Sequence, residues 1–83
     1  MRKAQDEQVL KAAAAEIKAR RGRIAISQEE LAHRADVHRS FIARLEVAQT
    51  QPSLAVLIRI AEALETDAAD MVRSIVERSR NES

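Results

Sequence analysis

The chain has no cysteine, no tryptophan and no tyrosine, and its 83 residues include one phenylalanine, one glycine and one proline. Without cysteine there is no disulfide framework, no cysteine-ligated zinc and no thiol nucleophile. So little glycine and proline cannot punctuate the many short strands of a β-sandwich or barrel, and the shortage of aromatic residues argues the same way. Long apolar runs are also missing. The longest apolar run is Leu54 to Ile58, against the roughly 20 residues a membrane helix needs. Lys11 and Lys18 interrupt the alanine-rich N-terminal segment, so no secretion signal is expected there, and a soluble protein of the reduced cytoplasm is the natural reading.

Helix formers dominate what remains. Alanine supplies 16 residues, and leucine, isoleucine and valine together supply 19. A chain of this mass is expected to expose roughly 5,000 Å² when folded and roughly 13,500 Å² when extended, which supports one core and a single domain over residues 1–83. The net charge of +1 conceals an asymmetry, because residues 1–50 carry +3 and residues 51–83 carry −2. Seven basic side chains (Lys18, Arg20, Arg21, Arg23, Arg34, Arg39 and Arg44) stand against three acidic ones between Lys18 and Arg44, enough for a local positive face.

Periodicity and capping signals predict an all-α fold of five helices. The first spans Asp6 to Arg21, with Leu10, Ala13, Ala14 and Ile17 inward and Gly22 placed to end it. The apolar connector from Arg23 to Ile26 leads to Ser27-Gln28-Glu29-Glu30, which has the form of a capping box. It opens a helix from Gln28 to Ala35 with Leu31, Ala32 and Ala35 inward. Asp36-Val37-His38 is a turn, and a third helix follows from Arg39 to Ala48. It has Ile42 and Leu45 on its inner side, and Arg39, Ser40, Ala43 and Val47 on its outer side. Glu46 falls at the boundary, where a carboxylate calls for a basic partner such as Lys18, Arg20 or Arg21. Ser53 caps a fourth helix, Leu54 to Leu64, whose expected buried stripe is Leu54, Leu57, Ile58, Ala61 and Leu64. Asp67 caps a fifth, Ala68 to Arg78, and the tail from Ser79 to Ser83 reads as frayed. Met71 with Ile75 and Val72 with Val76 make two adjacent stripes on that helix, more apolar surface than one small core needs. These four residues are therefore the expected dimer contact.

Two short helices joined by a three-residue turn, the second with basic and small polar residues outward, form a helix-turn-helix over residues 28–48. The string Ser27 to Ala32, Val37, Arg39 to Ile42, Leu45-Glu46, Pro52 to Leu54 and Ala61 to Leu64 resembles the phage-repressor and Cro family of DNA-binding domains. Small stand-alone members such as restriction-modification controller proteins are the most similar. The resemblance implies a homodimeric transcription regulator that binds a palindromic operator in double-stranded DNA, with no cofactor and no catalysis, and with RNA polymerase as a further partner. It gives Gln28 a phosphate contact at the start of the support helix. Arg39 and Ser40 fall at base-reading positions after His38, Ala43 and Arg44 at bases or flanking phosphate, and Thr50 on a phosphate-contacting loop. The fifth helix, about 68–78, would serve dimerisation. Asp36 stands where a turn glycine is usual in the family, and Ala48 and Glu65 stand where helix-ending glycines are common. The alternative reading is an antitoxin-like protein-interaction module with secondary DNA binding. His33 and His38 have no third ligand type beside them for a metal, His38 with Ser40 lacks an orienting acid, and Glu29 with Glu30 suits a helix N-terminus better than a catalytic pair.

Overall fold

A computed structural model describes residues 2–81, and every element among them is a helix: α1 Arg2–Arg23, α2 Gln28–Ala35, α3 Arg39–Glu46, α4 Leu54–Ala63 and α5 Ala68–Asn81. The all-α, five-helix expectation holds. None of these helices is long and apolar enough to cross a membrane. Ser27 Oγ accepts from Glu30 N at 3.0 Å and Ser53 Oγ from Val56 N at 3.2 Å, while Asp67 Oδ1 accepts from Ala69 N and Asp70 N. The three caps read from the sequence therefore hold α2, α4 and α5 at their starts.

One core runs through all five helices, with Ile17, Leu31, Ile42, Leu45, Ile60 and Met71 its largest fully buried side chains. The helices α2 and α3 are eight residues each, too short to persist alone, so their stability comes from Leu31, Ala32, Ala35, Ile42 and Leu45. Helix α1 packs along α5 and reaches α3, and α4 lies between α2 and α5.

Helix boundaries depart from expectation in an instructive way. Helix α1 begins at Arg2 and passes straight through Gly22 to Arg23, so Gly22 does not end it. The left-handed turn falls on Ala25 instead (φ 56°), with Ile26 N donating to Arg21 O and Ala25 N to Gly22 O. Ile24 and Ile26 both pack against the core. Burying such side chains is worth about 1.5–3 kcal/mol each when complete, more than the roughly 1–2 kcal/mol that an alanine loses in the left-handed region. The same closure recurs at Asp36, Ala48 and Glu65, all at φ between 57° and 61°. Each sits in a pair of backbone bonds of the Schellman type, in which Val37 N donates to Ala32 O, Gln49 N to Arg44 O and Thr66 N to Ala61 O. Helix α3 accordingly stops at Glu46 and α4 at Ala63, while α5 continues through Ser79, Arg80 and Asn81; the end of the expected frayed tail, residues 82–83, lies outside the described residues.

Helix α4 turns inward the expected face through Leu57, Ala61 and Leu64, but not the expected edge at Leu54 and Ile58. Ile60, Ala61, Ala63 and Leu64 are buried, with Val56 and Leu57 packed against them, whereas Leu54 is 72% exposed and Ile58 is exposed as well. Arg59 and Glu62, the polar residues of this helix, lie about 60° apart on one side, and Leu57, Ile60, Ala61 and Leu64 fall opposite them, on the side that packs between α2 and α5. The two stripes of α5 separate cleanly. Met71 and Ile75, expected at a dimer contact, are instead buried in the chain's own core, and Val72 and Val76 remain outside.

Candidate nucleic-acid interface

The turn between α2 and α3 is built by Asp36 in the left-handed conformation and by Val37, which packs inward and donates to Ala32 O at 3.0 Å. This closes the angle between the two helices in three residues. With Ile42 and Leu45 pinned in the core, the outward side of α3 carries Arg39, Ser40 and Arg44, all exposed, with Ala43 half-buried between them. His38 is the residue before α3, extended and exposed, and its imidazole makes no capping bond. Thr50 is half-buried in the loop after α3, flanked by exposed Gln49 and Gln51.

The positive face is smaller than the sequence count suggests, because several arginines are turned to internal work. Arg21 Nε donates to Glu46 Oε2 at 2.7 Å and its Nη2 to Oε1 at 3.0 Å, while Nη1 donates to Ile26 O at 2.9 Å. Arg34 bonds Glu30, Glu65 and the Ala63 carbonyl, so the Glu30 side chain serves Arg34. Arg20 pairs with Glu16 and donates to Thr66 Oγ1 at 2.6 Å and Ser74 Oγ at 3.2 Å. Lys18, Arg23, Arg39 and Arg44 take part in no ion pair among the described residues, and all four are exposed. Arg39 and Arg44 alone of these lie on α3.

Two carboxylates are buried. Glu46 is 4% exposed and receives Arg21 together with Gln28, whose Nε2 donates to Oε1 at 3.0 Å. Sequence reasoning found the pairing of Glu46 with Arg21 as one of three choices. It missed Glu16, 2% exposed, which binds Arg20 in its own helix and Arg78 Nε of α5 at 2.7 Å. The available signal was an acid and a base four apart, Glu16 and Arg20, with the acid beside Ile17 in an apolar stripe. Burial by itself would push both carboxyls up, but the guanidinium partners, with Gln28 in the case of Glu46, hold them below the ordinary value of 4.5.

The predicted contact residues therefore fall in three places. His38, Arg39, Ser40, Ala43 and Arg44 lie on or at the start of one helix, and Gln28 reaches its far end through Glu46, while Thr50 sits in the loop beyond. Among the described residues no group of three or more His, Asp or Glu side chains is placed to hold a metal ion.

Comparison with known proteins agrees with this geometry. The helix-turn-helix family model matches residues 17–71, which covers α1 from Ile17 to the start of α5. No curated protein matches the chain. Among solved structures, the clp gene regulator ClgR from Corynebacterium glutamicum superposes with a TM-score of 0.82 at 20% identity, over 88% of this chain and 78% of that one. A second ClgR structure gives 0.76 at 22% identity, over 83% and 90%. A point mutant of the restriction-modification controller protein C.Esp1396I gives 0.82 at 21% identity, over 90% of this chain and 95% of that one. At such identities these likenesses concern the fold, and the family match concerns the sequence. With the two short helices, the closed turn and the outward arginines of α3 in place, the chain belongs to the helix-turn-helix family of the repressor and Cro type, whose members are DNA-binding transcription regulators.

Proposed function

We propose that this chain regulates transcription as a homodimer bound to a roughly palindromic duplex site. One observation carries the reading. Among the described residues the exposed face of α3 offers Arg39, Ser40 and Arg44 with no hydrogen-bond or ion-pair partner, while Arg20, Arg21 and Arg34 of the two preceding helices are committed to carboxylates, hydroxyls and carbonyls. A guanidinium at the start of a recognition helix suits bidentate contact with guanine O6 and N7, so Arg39 is assigned to base readout, Ser40 and Ala43 to neighbouring base edges, and Arg44 to bases or flanking phosphate. Gln28, Thr50 and His38 would position the domain on the backbone. Residues 1–83 act as one domain, working in the cytoplasm alongside RNA polymerase.

The homodimer rests on an apolar face that the protomer leaves uncovered. Val9, Val72 and Val76 are exposed and line, with Leu10 and Leu57, a groove between α1, α4 and α5. A twofold interface uses the same patch on both copies, and a palindromic site repeats that twofold in DNA. The same face favours the second reading, an antitoxin-like module that covers it with a different protein.

Selection of bound sites from random duplex DNA tests the proposal. Half-sites one helical turn apart, about 34–36 Å, are expected. Arg39→Ala should then lose about 1–3 kcal/mol per half-site on the selected duplex and much less on random duplex. Full discrimination by Arg39→Ala refutes the assignment of the reading residue. Recovery of no enriched sequence, together with tight co-purification of an unrelated protein, refutes the regulator in favour of the interaction module.

A further inference from the structure

Along α1, Lys11, Ala15, Lys18 and Ala19 floor an open trough, walled by Val47 at the end of α3 and by Arg78 of α5. Lys11 and Lys18 are seven residues apart, which puts them on one face of the helix about 10 Å from each other. Both are exposed, and neither takes part in an ion pair among the described residues. The acids beside the trough are withdrawn. The Glu46 side chain is 1% exposed and bound to Arg21, and that of Glu16 is 3% exposed and meets two guanidinium groups, which leaves one positive charge over. No exposed acid lines the trough among the described residues, so it presents one sign of charge to solvent. Alanine methyls between the lysines let a broad surface approach both.

The trough is continuous with the outward face of α3. Val47 is 59% exposed and stands on the side of Arg39 and Ser40, eight residues or about 12 Å beyond Arg39. The major groove is about 12 Å wide, so a duplex that sets base edges against Arg39 brings a wall of phosphates to Val47, where Lys18 lines the same trough. From this continuity we propose that α1 carries a second contact with the duplex backbone, in which Lys18 and then Lys11 hold phosphates that flank each half-site. The inference rests on the DNA-binding reading above. Lysine suits the task, because an ammonium ion on a flexible stem meets a phosphate as a point charge and needs no fixed orientation. The same charge would suit an acidic protein segment; the join with the face of α3 at Val47 is what favours DNA.

The test uses the selected duplex in two lengths, one trimmed to the half-sites and one extended by about half a helical turn at each end. Affinity is measured against salt for the parent, for Lys11→Gln with Lys18→Gln, and for Arg80→Gln, which removes an exposed charge of α5 that does not line the trough. The parent should bind the extended duplex more tightly than the trimmed one, and the lysine variant should bind both alike. On the extended duplex the lysine variant should flatten the dependence of log affinity on log salt by about 1.8 per subunit, so that between about 50 and 200 mM salt it loses about 100-fold less affinity than the parent. Its ratio of selected to random affinity should match the parent's, because phosphate contacts carry no sequence information. Arg80→Gln should keep the parental slope. A lysine variant with the parental slope on the extended duplex overturns the proposal; if that variant has also lost a glutamate-rich helical peptide that the parent binds, the trough belongs to an acidic protein partner. An equal flattening per charge in Arg80→Gln shows a diffuse field in place of a contact and overturns it too. A parent with no preference for any selected duplex overturns the DNA reading itself, and this inference with it.

Discussion

The only glycine of the chain is three residues away from where the backbone would use it. Gly22 has ordinary helical backbone inside α1, while Ala25 takes φ 56° to close that helix. Exchanging the two, Gly22→Ala with Ala25→Gly, should therefore stabilise the fold without touching the core. A Cβ added at Gly22 meets nothing within 4 Å, so the substitution brings the helix-interior gain of about 0.5–1 kcal/mol. Ala25 is exposed, and removing its methyl surrenders no buried surface. Relief of the left-handed alanine is worth about 1–2 kcal/mol, and the freer unfolded chain of a glycine takes back about 0.4–1, leaving about 0.5–1 kcal/mol. Together the two changes should contribute about 1–2 kcal/mol, a rise in Tm of about 5–15 °C for a domain of this size. The two sites share one closing motif, in which Ala25 N donates to Gly22 O at 3.1 Å, so both single variants are needed to detect coupling. The assay is thermal and urea unfolding followed by far-ultraviolet circular dichroism, at one fixed protein concentration because the proposed dimerisation would shift the midpoint. An unchanged m value with a higher urea midpoint is the expected signature. A lower Tm for Ala25→Gly refutes the reasoning, because it would mean that the left-handed turn is not where the strain lies.

The same logic applies to Glu65 at φ 60°, where Glu65→Gly should raise stability by about 0.5 kcal/mol despite losing an exposed pair with Arg34; a fall in the urea midpoint would show that the pair outweighs the backbone. On α5, Val72→Glu with Val76→Glu should leave helical content intact and convert the proposed dimer to a monomer in sedimentation, whereas Ile75→Glu, at a site 5% exposed, should unfold the chain. An unchanged dimer in the valine variant places the interface elsewhere. For DNA, Arg44→Ala should flatten the dependence of log affinity on log salt by about one unit per subunit if it meets phosphate, and Gln28→Ala, being neutral, should weaken binding with the slope preserved; equal slopes in the parent and Arg44→Ala assign Arg44 to bases. Acid should act through Glu16 and Glu46. Their folded values are lowered below 4.5, so the stability they contribute is complete above the unfolded value and is lost as pH falls through the lowered folded ones. Urea midpoints of the parent should drop more steeply below pH 4.5 than those of Glu16→Gln with Glu46→Gln, and matching slopes would exclude these carboxylates as the acid-sensitive groups.

Local chemistry was enough to place the helices. Ser27, Ser53 and Asp67 announce three helix starts, and the inward faces of α2 and α3 follow from spacing alone, because Leu31, Ala32, Ala35, Ile42 and Leu45 sit among polar neighbours that leave no other choice. The family resemblance was legible for the same reason, since it is carried by short-range caps, a turn and the outward residues of one eight-residue helix. Tertiary structure decided whatever had several local solutions of nearly equal energy. Helix α4 has eight apolar residues in ten, and how far its buried face extends, taking in Ile60 and Ala63 but not Leu54 or Ile58, was decided by its neighbours. Where α1 ends was settled by the gain from seating Ile24 and Ile26, which outweighed an available glycine. The partners of the charged side chains depend on groups far apart in the chain: Arg78 reaches Glu16 and Arg21 reaches Glu46 across the core, and this withdraws from the surface some of the arginines that composition counts as a positive face. Backbone propensity and side-chain periodicity act over a few residues, and so the sequence alone reveals them; the extent of a helix's buried face and the pairing of a buried charge are long-range choices, made only when the whole chain has packed.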